Sequence, residues 1–213
     1  MSEHTDTKDE TEREALEAEL AERREAALAQ VVKFGDPVLK SKASPVRDFG
    51  PELRAEVERM IGIMRDGMGV GLAATQLGIL RRLLVFQAGH DSESTTLLNP
   101  EVEWLSGELV VAEEGCLSLP GVSMDVERAL HARVGGLDAE GEPVTIEASG
   151  LEARVLQHEI DHLDGVLILD RAPRAQRKGA LRALREGGTY SPALEDERAP
   201  AEPGEHREPK TTA

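Results

Sequence analysis

His158-Glu159-Ile160-Asp161-His162 decides how the rest of the chain is read. Two histidines four positions apart share one face of a helix, so both imidazoles can reach a single ion. The glutamate between them is offset from that face but can lean toward the open position where water would sit. Leu151, Val155, His158 and His162 lie on one stripe, which points the histidines into the protein. A hydrogen-bonded histidine pair without metal is the competing reading; the helical context and the whole pentapeptide favour a metal. Gly150 before the segment and Asp164-Gly165 after it predict a helix running from Gly150 to Leu163.

An ion held by two imidazoles needs a third protein ligand. Where a metzincin protease carries a third histidine this chain has Ile168, which cannot ligate. Glu186 is the first glutamate after His162, and it stands beside Gly187-Gly188, a poor seat for a rigid ligand. Upstream, Glu114-Gly115-Cys116-Leu117-Ser118 offers a thiolate. A lone cysteine is ordinarily a small buried residue. The adjoining Gly115 and the need for a third donor make Cys116 the candidate.

Working outward, Asp48 to Met64 has Pro51 near its start and apolar residues at helical spacing, predicting a helix that Gly67 to Gly71 breaks. Leu83–Phe86, Thr95–Leu98 and Leu109–Ala112 suit short strands, and Leu130–Leu137 with Val144–Ala148 brackets a hairpin turn at Asp138-Ala139-Glu140-Gly141. A last helix spans Pro173 to Glu186. Short strands set apart from helices predict an α+β fold, with short antiparallel sheets packed around the helix that carries the histidines and a further helix at the C-terminal side. Residues 1–30 read as an acidic extension, partly helical or disordered, 31–186 as the folded catalytic domain, and 187–213 as a disordered tail.

With aromatics at only 2% of 213 residues, the core must come from Val, Leu, Ile and Ala. A formal net charge of −16 argues against general nucleic-acid binding, which needs a cationic surface. One cysteine precludes an intramolecular disulfide, and no stretch approaches the roughly 18 apolar residues of a membrane span. The charged first thirty residues contain no secretory apolar core. These features predict a cytoplasmic protein without a membrane partner.

Three motifs, Gly69-Val70-Gly71-Leu72-Ala73-Ala74-Thr75-Gln76, Glu114-Gly115-Cys116-Leu117-Ser118 and Gln157-His158-Glu159-Ile160-Asp161-His162-Leu163, together resemble those of the peptide deformylase family in order and separation. The likeness covers roughly Val31 to Arg185. It implies an enzyme that removes the formyl group from the N-terminal formylmethionine of nascent polypeptides and releases formate. By motif position, Cys116, His158 and His162 would bind one divalent metal, Fe(II) by the resemblance, with Zn(II), Ni(II) or Co(II) equally suited to two imidazoles and a thiolate. Metal-bound water would attack the formyl carbonyl with Glu159 as general base and then general acid. Gln76 and the Leu117 backbone N–H would stabilise the oxyanion, the Gly71 backbone would position substrate, and Asp161 would pair with Arg128. Val70, Leu151 and Val155 are candidates for the pocket that takes the methionine side chain.

Arg171, Arg174, Arg177, Lys178, Arg182 and Arg185 form a basic run in this acidic chain. It reads either as a solvated helix face or, by the resemblance, as a contact with the ribosome through segment 171–185. Two other functions fit part of the pattern: a His-Glu-x-x-His zinc endopeptidase, and an inactive deformylase-like binding protein.

Overall fold

The computed structural model describes residues 3–88 and 92–193. In chain order its elements are α1 (Glu3–Gln30), α2 (Pro51–Asp66), β1 (Gly71–Ala73), β2 (Leu83–Phe86), β3 (Thr95–Leu105), β4 (Leu109–Gly115), β5 (Ser123–Ala129), β6 (His131–Leu137), β7 (Pro143–Ser149), α3 (Leu151–Leu163), α4 (Ile168–Arg171) and α5 (Arg174–Glu186). The strands form an antiparallel sheet in the order β1-β2-β3-β6-β7 and a separate antiparallel pair, β4-β5. Antiparallel sheets with segregated helices make the fold α+β. Among the described residues no helix is long and apolar enough to cross a membrane.

Strand β2 shows how the layers are built. Its four residues, Leu83-Leu84-Val85-Phe86, are all buried, because successive side chains point to opposite faces and each face is covered. Leu83 and Val85 pack into a cluster with Leu53, Val57, Met60 and Met64 of α2. Leu84 and Phe86 pack into another with Ala153, Leu156, Ile160 and Leu163 of α3. The five-stranded sheet therefore carries α2 on one face and α3 on the other. A third cluster joins Val122, Met124 and Val126 to Ile168, Leu169, Ala180 and Ala183, tying β5 to α4 and α5.

Helix α3 begins at Gly150, whose φ of 58° and ψ of −122° fall where an L side chain is strained. The Gly150 amide donates to the Leu130 carbonyl and its carbonyl accepts from Arg154, so one residue both leaves strand β7 and starts the helix. That sharp entry lays the histidine-bearing helix back across the sheet.

Several expectations are revised. The acidic extension runs as one 28-residue helix, α1, anchored at its far end by buried Ala27 and Val31 against α2. Strand β3 continues to Leu105, seven residues past its predicted end, because β6 pairs with it across two register shifts. Strands β1 and β5 arise where none was expected. The tail expected from residue 187 is ordered at its start: Tyr190 is buried, bridges Val122, and exchanges backbone hydrogen bonds with Gly121 and Ser123. Its ring has an apolar site to fill beside α5, which outweighs the polar composition around it. Residues 194–213 of that tail lie outside the described residues.

Candidate metal centre

Three elements bring chemistry-bearing side chains to one place. Helix α3 presents His158, Glu159 and His162; the turn after β4 presents Cys116; β1 and the 3-10 turn after it, Ala74–Leu77, present Gly71 and Gln76. The turn at Cys116 is closed by the Leu119 amide donating to the Cys116 carbonyl, which fixes the thiol toward α3. Cys116 Sγ stands 3.2 Å from His162 Nε2, and the two imidazole centroids are 4.9 Å apart and nearly edge to face. One ligand atom each from Cys116, His158 and His162 lie within 4.8 Å of one another. An ion bonded at about 2.0–2.3 Å to nitrogen and sulfur could be held by atoms this close with small side-chain adjustments. Two imidazoles, one thiol and a buried carboxylate are a donor set that fits a divalent transition metal.

The electrostatics are set by burial and by charged neighbours. Burial alone would raise the Cys116 thiol, yet His162 and His158 beside it hold it well below the ordinary thiol range. Burial would lower His158, but hydrogen bonds to Cys116 and Glu114 raise it well above the usual imidazole value. Glu159 is buried and its carboxyl is pushed up, burial being the main cause. Glu159 Oε2 has no hydrogen-bond partner among the described residues, as expected of a group kept for something that binds there.

Gln76 is held in one orientation: its Oε1 accepts from the Ala73 amide at 2.9 Å, which turns Nε2 to Cys116 Sγ at 3.6 Å and Ser118 Oγ at 3.4 Å. The Leu117 amide donates to no group among the described residues. At Gly71 a Cβ would stand 2.4 Å from Glu159 Oε1, so only glycine lets β1 pass this close to the carboxylate. All four residues line or border a cavity of about 740 Å³ whose wall also includes Val70, Leu151, Val155, Cys116 and His158. Leu151, one of the pocket candidates, is exposed at the cavity wall, whereas Val155 on the same stripe is buried.

One participant was missed. Glu114 Oε2 sits 3.0 Å from His158 Nδ1, leaving Nε2 as the nitrogen that ring could offer to an ion. Arg128, itself buried, forks onto both Glu114 oxygens at 2.9 Å and reaches Asp161 at 2.6 Å; Arg154 adds a 2.7 Å bond to Glu114. Burial would raise the Glu114 carboxyl, but the His158 and Arg128 hydrogen bonds bring it down to about 2, so it stays an anion. The only clue in the sequence was that Glu114 lies two residues before Cys116. Arg171, counted in the basic run, belongs to this network, bonded to Asp161 at 2.5 and 3.0 Å.

Comparison with known proteins places this geometry among relatives. The family model for polypeptide deformylase matches residues 28–178. A peptide deformylase of Acidothermus cellulolyticus is 48% identical over 160 residues, covering 75% of this chain and 87% of that protein. Among solved structures, a peptide deformylase from Synechococcus elongatus in complex with actinonin superposes with a TM-score of 0.70 at 39% identity, covering 75% and 88% of the two chains. The Thermotoga maritima peptide deformylase superposes at 0.65 with 45% identity, covering 67% and 96%.

Proposed function

Since the chain belongs to the peptide deformylase family, hydrolases that remove the N-terminal formyl group of polypeptides, we propose that Cys116, His158 and His162 hold its metal and Glu159 carries its proton. The observation that carries this assignment is the approach of one sulfur and two imidazole nitrogens to within 4.8 Å beside a buried carboxylate oxygen that has no hydrogen-bond partner among the described residues. The family is metal-dependent; for this donor set we assign Fe(II), with Zn(II), Ni(II) and Co(II) as ions the same residues can hold. When bound, such an ion polarises the substrate carbonyl and acidifies a water molecule.

The chain's own residues do the rest. Glu159, its carboxyl raised by burial, takes a proton from water as the formyl carbon is attacked and returns it to the departing amine. The fixed Gln76 amide and the free Leu117 N–H donate to the oxygen on which charge develops, a contribution of about 3 kcal/mol per donor in comparable sites. Gly71 keeps β1 close to Glu159, leaving room for formyl while its backbone lines the substrate path. Val70, Leu151 and Val155 supply apolar surface for the methionine side chain. Glu114 orients His158, and Arg128 locks Glu114 and Asp161 to each other, so α3 and the β4–β5 pair hold register at the site. In this reading residues 31–186 are the catalytic domain, with both sheets framing α3, and the reaction takes place in the cytoplasm, where nascent chains emerge. Membership of the family sets aside the endopeptidase reading, and the presence of both Glu159 and Gln76 at the site argues against an inactive binding protein.

Formate release from a formyl-Met-Ala-Ala peptide by anaerobically iron-loaded protein tests the reading. Turnover is expected with formyl and none with the acetylated peptide; equal turnover of both, or of internal peptide bonds, would refute it.

The cationic face of α5 supports a second element, contact with the ribosome. With Arg171 committed to Asp161, the residues available for it are Arg174, Arg177, Lys178, Arg182 and Arg185. Neutralising these five should abolish cosedimentation with ribosomes at low salt, and cosedimentation that survives would remove the basis for the contact.

A further inference from the structure

Helix α1 begins well before residue 28, where the family match starts, yet its last turns reach the substrate cavity: Arg24 and Leu28 line it. The end of the helix is pinned. Ala27 is buried against α2, Arg23 reaches Asp66 at 2.6 Å, and Arg59 reaches Gln30 at 2.9 Å. Arg24 is therefore held at the cavity mouth rather than carried on a free extension.

Three cations line that cavity, and two are spoken for. Lys33 donates to the Leu28 and Leu117 carbonyls, at 2.8 and 3.2 Å. Arg154 donates to Glu114 and to the Val126 and Val110 carbonyls. Arg24 bonds to no described residue. Its isolation is written into the helix: the positions three and four away are Leu20, Ala21, Ala27 and Leu28, so none of the many glutamates of α1 stands where it could pair. Of the two β4 acids that line the cavity, Glu114 is held by Arg128, Arg154 and His158, and Glu113 accepts from the Ser123 hydroxyl.

The cavity, about 740 Å³, is in the range that takes drug-sized ligands and exceeds what one formylmethionine fills. The residues after the methionine must occupy the remainder, each advancing about 3.4 Å in extended form. We propose that Arg24 is a substrate-binding, specificity-determining residue that takes the carboxylate of an acidic side chain just after the formylmethionine. A guanidinium fork matches a carboxylate in two parallel hydrogen bonds, and Leu28, one turn on along α1 and also in the cavity lining, offers no competing acceptor side chain. The helical extension thereby becomes part of the substrate site of a chain whose net charge of −16 would otherwise repel acidic peptides.

This inference rests on the deformylase reading. The test uses the full metal-loaded chain and compares kcat/KM for formyl-Met-Glu-Ala and formyl-Met-Lys-Ala, in the native chain and in Arg24→Gln and Arg24→Glu. The ratio is read because a general loss of activity or folding cancels from it. The native chain should prefer the Glu peptide, by about two- to fivefold for a pair at an exposed rim, with the preference shrinking at high salt. Arg24→Gln should erase the preference and Arg24→Glu should reverse it. Ratios that stay the same in both variants overturn the proposal while formyl-Met-Ala-Ala is still turned over. No formate from that neutral peptide in the native chain overturns the deformylase reading itself, and this inference with it.

Discussion

Cys116→Ser should lose most of its metal while keeping its fold. Serine replaces sulfur with a smaller, harder oxygen whose proton does not leave near neutral pH, so the charged ligand disappears without a large change in volume. The thiol depends on its surroundings for that charge: His162 and His158 hold it in the thiolate form against a burial that opposes it. Loss of a residue that merely orients a ligand costs a site roughly 10- to 100-fold in metal affinity, and loss of the ligand itself should exceed the upper figure. If the ion contributes several kcal/mol to carbonyl and water activation, formate release falls about a thousandfold at matched protein concentration. Metal analysis after gel filtration, beside circular dichroism, reads both halves. A His-Glu-x-x-His endopeptidase drawing its third ligand from elsewhere would keep its metal in this variant. Retention of one metal per chain would therefore end the assignment of Cys116.

What could be read in advance follows from how local the deciding signal was. Helix α3 declared itself through a 3.6-residue apolar pattern, a glycine at its head and Asp164-Gly165 at its end. Strand β2 and the β6–β7 hairpin were equally plain, being apolar runs or alternations bounded by turn residues. Strand β5 was not. Its sequence, Ser-Met-Asp-Val-Glu-Arg-Ala, is heavily charged; the resemblance pointed to Asp161 as a partner for Arg128, but only the fold reveals that Glu114 from β4 neutralises it as well. Strand β1 has three residues, too few for any period, and exists because β2 offers it an edge. The site divides along the same line. The two histidines and Glu159 were visible because they share one helix, whereas Cys116 lies 42 positions before His158 and spacing alone could not join them. Glu114 was quoted with Cys116 and given no role, since no pattern in the chain says which of 41 acids will meet an imidazole nitrogen.

Glu159→Gln separates proton transfer from metal binding, because it removes the basic oxygen and leaves Cys116, His158 and His162 untouched. A positioned general base and acid contributes about 10²- to 10⁴-fold, so kcat for formyl-Met-Ala-Ala should fall within that range while KM and metal content hold. Stability should move the other way. Glu159 is buried, its carboxyl is raised by that burial, and Oε2 has no partner among the described residues, so the native chain bears the cost of a buried acid that the Ala73 backbone and the two histidines offset only in part. An isosteric neutral amide removes part of that cost, and the variant should melt no lower than the native chain, in keeping with a group retained for chemistry at the expense of stability. The two readouts have to agree in sign. A kcat within tenfold of the native value with metal still bound would show that some other group moves the proton. A marked drop in melting temperature would show that the carboxylate is a structural support rather than a base held in reserve.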